Sequence, residues 1–219
     1  MLIEESIWIR DTLKQYLNIN HFPLLNIGSS TQHFREVVQP HIYQNVFAPL
    51  KQENKTVIHL DMKMDVGVDL IGDLSEQQFR DSLKNKNINS VLCSNLLEHL
   101  ADPKPICNSI LQLLKSGGLI IVTVPYDFPF HEDPIDTGLR PNTEELHAFF
   151  PGTKIINAQI VISQDSYLKD LLANKKYLTI MLCRLLMPFY KAHQWKRILN
   201  DFFNARKKYS ATCILLEKL

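Results

Sequence analysis

The sequence predicts an α/β fold organised around a mostly parallel β-sheet, and three observations carry that expectation. Strand-like and helix-like segments alternate along the chain, the pattern that builds parallel sheets. The stretch from Ser90 to Pro125 reads as a complete strand–helix–strand unit, in which Gly117 and Gly118 stop the helix and LIIVTV follows. That final run is β-branched and apolar on both faces, as a strand covered by helices on both sides must be. The third observation is the polar pair Ser94 and Asn95, which ends the apolar run containing Val91 and Leu92. Open α/β sheets bind ligands at the carboxyl ends of their strands, so the turns at Ser94 and Tyr126 are the first places to look for a site.

The elements follow in order. Residues 3–18 place Ile3, Ile7, Trp8, Leu13 and Leu17 at helical spacing, with Asn18 and Asn20 ending the helix. PLLNIG (23–28) is a short buried strand, and 29–42 is a turn running into weak helix or loop. TVIHLDM (56–62) is the second strand, VDLIGDL (68–74) a brief third, and 75–83 a helix capped by Ser75. After the fourth strand, Leu96, Leu97 and Leu100 open helical spacing with Glu98 and His99 between them, placing His99 in a first helical turn. Beyond Pro103, the positions Ile106, Ile110, Leu111, Leu113 and Leu114 fit a helix lying on the sheet. A polar loop, a helix at 144–150 and a strand at 153–163 come next. Residues 165–208 read as helical with a break at Pro188, and 210–218 closes the chain as a strand.

The 219 residues suit one domain: an N-terminal helix (1–20), a core (22–163), a helical insert (165–208) and the last strand (210–217). With 45% hydrophobic and 21% charged residues and a net charge of +1, nothing global calls for nucleic acid or an acidic partner. Cys93, Cys107, Cys183 and Cys213 are scattered without a CxxC pair, which points to a reducing, cytoplasmic setting and no zinc site. The start, MLIEESIWIRD, lacks the apolar core of a secretory signal. The longest apolar run, Tyr177–Tyr190, contains Arg184 and is shorter than the roughly 20 residues a spanning helix needs.

Five local patterns, in their order, resemble class I S-adenosylmethionine-dependent methyltransferases, and most of all small bacterial proteins of the methyltransferase type 11 kind. These patterns are Asp61 at a strand end, Gly72-Asp73-Leu74, Leu97-Glu98-His99-Leu100, Leu114-Lys115-Ser116-Gly117-Gly118 and the loop His131-Glu132-Asp133-Pro134-Ile135-Asp136. The resemblance covers roughly 22–152 plus the final strand. It implies a Rossmann-like sheet of seven strands in a three-layer α/β/α sandwich, the last strand antiparallel and slotted between strands five and six. It also implies S-adenosyl-L-methionine as cofactor and methyl transfer to a small-molecule or glycan-type acceptor. The alternative is a non-catalytic protein of the same fold serving as a scaffold or partner subunit. A nicotinamide or nucleotide-sugar enzyme is disfavoured, because no G-x-G-x-x-G follows the first strand.

By that resemblance the cofactor would meet Asn26, Gly28, Ser29 and Ser30 after strand one, Asp61 and Met62 after strand two, Asp73 and Leu74 after strand three, and Ser94 and Asn95 after strand four. Where the family has acid-x-Gly-x-Gly, this chain has Asn26-Ile27-Gly28-Ser29-Ser30, and a side chain at Ser30 narrows the approach. Asp61 follows the apolar run 57–60 and can accept both hydroxyls of a ribose through charge-assisted hydrogen bonds; a solvated loop aspartate is the plainer reading. Asp73 would meet the adenine edge, or cap the following helix, or both.

Methyl transfer is an in-line displacement governed by positioning, and a base is needed for a hydroxyl or a protonated amine. His99 and His131, with Asp133, are the candidate catalytic residues; a packing role is the alternative for His99. For His131, Asp133 and Asp136 the alternatives are a divalent-ion site or a loop held by Asx turns and stiffened by Pro129 and Pro134; no metal is assigned. Arg140 is expected to pair with one of the aspartates. The insert mixes Trp195, Phe189, Tyr190, Phe202 and Phe203 with basic residues. It reads as a lid or edge packing, an interfacial membrane surface or a dimer face, in a monomer or homodimer.

Overall fold

The structure is a computed structural model, and it describes residues 1–130, 135–173, 175–189, 192–203 and 206–219. Its elements are α1 (Ile3–Tyr16), β1 (Leu24–Ile27), α2 (Pro40–Ile42), α3 (Ala48–Gln52), β2 (Val57–Asp61), β3 (Leu70–Ile71), α4 (Gln77–Leu83), β4 (Ser90–Ser94), α5 (Lys104–Leu113), β5 (Leu119–Pro125), α6 (Thr143–His147), β6 (Thr153–Ser166), α7 (Tyr167–Ala173), α8 (Lys175–Leu185), α9 (Ala192–Phe203) and β7 (Lys208–Lys218).

The seven strands form one sheet in the order β3-β2-β1-β4-β5-β7-β6. The β1–β2, β1–β4, β2–β3 and β4–β5 pairs are parallel, while β7 runs antiparallel to both β5 and β6. The expected seven-stranded sheet, with its last strand inserted between the fifth and sixth, is therefore borne out. Strand order reverses between β1 and β4, and this is the topological switch point at which such sheets open a crevice.

Side chains alternate across the sheet with a period of two, which sorts the core into two layers. Leu25, Ile27, Val91, Cys93, Ile120 and Val122 pack with Leu83, Ile110 and Leu146 from α4, α5 and α6. Leu24, Leu92 and Ile121 pack on the other face with Ile9 and Leu13 of α1 and Leu50 of α3. Each such fully buried side chain stabilises the fold by roughly 1.5–3 kcal/mol.

Several expectations are corrected. The segment read as weak helix or loop is helical from Phe34 to Gln52, built from π-helical turns at Phe34–Val38 and Tyr43–Phe47 alternating with α2 and α3. Ile42, Val46, Phe47 and Leu50 are buried there, so packing overrides the interruptions at Pro40 and Pro49. No long helix opens at Leu96. Leu97–His99 is a single 3₁₀ turn, Leu100 is extended, and α5 starts at Lys104 after Pro103. The residue before a proline is pushed away from helical backbone, and Asp102 instead accepts the N–H of Lys104 through Oδ1 (3.0 Å). Ser75 does not cap α4, whose N-cap position is Glu76. Asp73 makes the turn by accepting the Ser75 N–H at 2.8 Å. Among its described residues the insert holds three helices, with β6 extending to Ser166. Among the described residues, no helix is long and apolar enough to cross a membrane.

Candidate active site

A cleft of about 680 Å³ opens at the carboxyl edge of the sheet, bordered by Gly28, Ser30, Arg35, Ser94, Glu98 and Phe128 among others. It lies at the switch point between β1 and β4, and its size suits a nucleoside-sized ligand.

The turn after β1 is built from the strand outward. Gly28 has φ +66°, and a Cβ there would stand 3.0 Å from the Leu96 side chain. Ser29 is buried and its N–H reaches the Leu60 carbonyl at 3.0 Å. Ser30 takes φ +54°, a left-handed conformation uncommon for a residue with a side chain. Its N–H donates to Oδ2 of Asp61 at 2.8 Å, which ties the first turn to the acid closing β2. Oδ1 of Asp61 accepts the Lys63 N–H at 3.1 Å. Asp61 is thus bonded to two residues that line the cleft, Ser30 and Lys63, with each carboxylate oxygen already accepting one hydrogen bond and able to accept another.

Arg35 staples this region from below. Its buried guanidinium donates to the carbonyls of Ser29 (2.8 Å), Ser30 (2.6 Å) and Gly67 (2.7 Å), joining the turn after β1 to the loop after β2. Asn26 is buried and its amide donates to Nδ1 of His59 at 3.1 Å. Burial and the nearby Arg35 charge, against the opposing Asp69, press the His59 imidazole down to about 4, so it is neutral at physiological pH.

On the other side of the cleft, Asn95 also takes a left-handed φ of +49°. Its side chain donates to Oε1 of Glu5 at 2.7 Å, as does the Thr123 hydroxyl at 2.6 Å, while Oε2 of Glu5 accepts the Leu2 N–H at 2.9 Å. An acid on α1 therefore pins the turn after β4. Glu98, in the 3₁₀ turn, is fully buried, and neither of its carboxylate oxygens has a hydrogen-bond partner. His99 Nε2 stands 3.8 Å from Oε1. Burial, reinforced by the charge of Glu5, pushes the Glu98 carboxyl up to about 8. His99 donates from Nδ1 to the Ile135 carbonyl, which fixes Nε2 as the acceptor nitrogen of the neutral ring. The loop that follows is held by Thr137, whose N–H and hydroxyl both donate to the Glu98 carbonyl (2.9 and 3.0 Å). Asp136 forms the expected pair with Arg140, a two-pronged contact at 2.6 and 3.1 Å.

The structure brings Asn26, Gly28, Ser29, Ser30, Ser94, Asn95 and His99 around one cleft, with Asp61 joined to it through Ser30. Asp61, Met62, Asp73 and Leu74 do not themselves line it; Met62 is exposed and Leu74 is buried in the core. His131 and Asp133 lie outside the described residues. Sequence reasoning missed Glu5, Arg35 and Glu98. For Glu98 the signal was available, since an acid set between Leu97 and Leu100 falls within an apolar stretch. Glu5 and Arg35 acquire their roles from contacts distant in the chain.

A seven-stranded sheet of this order, with a nucleoside-sized cleft at the β1–β4 switch point, defines the class I methyltransferase architecture. Residues 28–122 match the model of the family described as methyltransferase domain, in line with the resemblance read from the motifs. The fold is similar to that of MccD protein, with a TM-score of 0.58 and 13% identity over 97% of this chain and 96% of that one. It is also similar to a SAM-dependent methyltransferase from Anabaena variabilis (TM-score 0.55, 10% identity, 100% and 86% covered). A third similar fold is coclaurine N-methyltransferase bound to N-methylheliamine and SAH (TM-score 0.53, 15% identity, 97% and 70% covered). At these identities the likeness is one of fold. No curated protein sequence matches the chain.

Proposed function

We propose that the protein transfers a methyl group from S-adenosylmethionine to a small-molecule or glycan-type acceptor. The observation that carries this reading is the cleft at the switch point, two of whose lining residues, Ser30 and Lys63, donate their amides to Asp61. The methyltransferase-domain match over 28–122 supports it, as does the SAH bound to the similarly folded coclaurine N-methyltransferase. When bound, the cofactor supplies an electrophilic methyl group on a sulfonium. Asp61 would accept the ribose hydroxyls with its remaining lone pairs, and Gly28 would let the backbone approach. Ser94 and Asn95 would face the reacting end, while Asp73, outside the cleft lining and with Oδ1 engaged by Ser75, is proposed for the adenine edge on the sequence resemblance alone.

His99 is the candidate base: its Nδ1–H is committed to Ile135, so Nε2 is the nitrogen that would take a proton from the acceptor. His131 and Asp133 remain proposed acceptor-side groups on sequence alone. Calorimetric titration with S-adenosylmethionine tests the reading: saturable binding is expected, and Asp61→Ala should weaken it by about 10–100-fold, the loss of charge-assisted bonds worth ~1.5–3 kcal/mol. Absence of binding by folded protein would overturn it.

A second reading, a non-catalytic protein of this fold, is favoured by one observation. Arg35 and Asp61 already satisfy the polar groups of the first turn internally. That same titration separates the two.

A further inference from the structure

The insert between β6 and β7 stands apart from the sheet in both charge and packing. Between residues 165 and 208 the chain has ten lysines and arginines against three acids, whereas the remainder has fourteen against twenty. The +1 net charge of the whole therefore conceals a strongly basic segment on an acidic body. The insert's helices share a small core of their own, where Met181 is buried against Tyr167, Leu168, Leu178 and Ile198. Trp195 ties α9 back to α8 by donating to the Leu185 carbonyl at 3.1 Å. That core leaves much of the apolar surface outside. At the end of α8, Leu186 is 84% exposed, Met187 49% and Phe189 96%, and at the end of α9 Phe203 is 75% exposed.

The sheet fixes where this surface stands. β7 runs antiparallel to β5 and to β6, so β6 ends at the same edge as β5. The insert thus springs from the carboxyl edge of the sheet, beside the cleft. Its base is joined to the cleft wall: Tyr209 donates to Asp170 at 2.7 Å, and its ring lies 4.7 Å from that of Phe128, a residue bordering the cleft.

We propose that the insert is a docking surface for an anionic lipid bilayer, with Leu186, Met187 and Phe189 entering the interface and the excess of lysines and arginines along the insert meeting the headgroups. An exposed apolar tip on a net basic segment is the composition that partitions into the boundary of an anionic membrane. Charge complementarity selects this occupant. A second copy meeting the first insert to insert would set one net positive segment against another, whereas anionic lipid supplies the missing sign. Docking by this face would turn the carboxyl edge toward the bilayer, so an acceptor carried on a lipid would reach the cleft from the membrane side. That last consequence rests on the methyl-transfer reading; the docking itself does not.

The test is co-sedimentation of the full chain with large unilamellar vesicles, either phosphatidylcholine alone or phosphatidylcholine mixed with phosphatidylglycerol. The expected result is binding at least ~10-fold stronger to the anionic vesicles, weakened by added salt as screening shortens the reach of the charges. The double variant Leu186→Ser/Phe189→Ser, checked for folding by circular dichroism, should lose at least ~10-fold in partitioning, since two apolar side chains no longer leave water. Equal or absent binding to the two vesicle types overturns the proposal, as does a double variant that binds like the parent. A concentration-dependent dimer that the double variant dissolves would assign the face to a second copy and overturn it too. Cofactor titration is independent of all these readouts, so failure of the docking proposal and failure of the methyl-transfer reading are distinguishable.

Discussion

Replacing Glu98 by glutamine should change how the stability of this protein depends on pH. The side chain is fully buried, both of its oxygens lack hydrogen-bond partners, and burial raises its carboxyl to about 8. In the unfolded chain the same group ionises near 4.5. Between those values the native state holds a proton that the unfolded state has released, so stability falls as pH rises through that window. The full displacement corresponds to roughly 5 kcal/mol at ~1.4 kcal/mol per unit, a large share of the roughly 5–15 kcal/mol by which domains are stable.

The clean interval is pH 6.5 to 8. The buried His59, which is pushed down to about 4, costs stability only as pH falls below its unfolded value near 6.5. Across that interval the Glu98 contribution falls by about 1.5 kcal/mol, or ~3–6 °C in melting temperature for a chain of this length. Glutamine has nearly the same shape and no charge, so the variant should lack this decline, and its stability relative to the parent should rise by about 1.5 kcal/mol between pH 6.5 and 8. Urea unfolding followed by tryptophan fluorescence at pH 6.5 and 8 measures this. Parallel pH dependences in parent and variant would refute the argument that Glu98 stays protonated in the folded protein.

Two further outcomes bear on the scaffold of the site. Glu5→Ala should destabilise the protein by about 2–4 kcal/mol in the same unfolding assay, because the Asn95 amide, the Thr123 hydroxyl and the Leu2 N–H all lose their acceptor. A loss below about 0.5 kcal/mol would mean that water takes the place of the carboxylate. Gly72→Ala should cost about 1–3 kcal/mol, since a Cβ at that position would stand 2.4 Å from the Phe79 ring; an unchanged melting temperature would show that the ring moves aside freely.

The fold was legible because its information is local and periodic. The runs 90–94 and 119–125 are apolar on both faces, and both are central, doubly covered strands. Alternation of strands and helices then left little freedom of topology. The segment Phe34–Gln52 was not legible, because its helical turns are interrupted by Pro40 and Pro49 and are held by burial of Ile42, Val46 and Leu50 against the sheet. The site was legible only where a residue acts at its own strand end, as Gly28, Ser94 and Asn95 do. Glu5 reaches Asn95 and Thr123 across 90 and 118 positions of sequence. No pattern within a short window of sequence could have placed it there.

The turn after β1 shows how a departure in sequence can leave the geometry in place. A serine stands at position 30 where the resembled pattern has glycine, and it nonetheless adopts the left-handed backbone, at φ +54°. For a residue with a Cβ this costs about 1–2 kcal/mol. The bond from its N–H to Asp61 is charge-assisted and, at 2.8 Å, of the length expected for the stronger hydrogen bonds, so it offsets the strain. The acid proposed to meet the ribose is thus also the group that holds the first turn in shape. The two roles separate in the comparison of Asp61→Asn with Asp61→Ala. Asparagine keeps an acceptor for Ser30 and should retain the turn while surrendering the charge that favours the ribose contact. Alanine should lose both, and its deficit should appear in stability as well as in cofactor affinity.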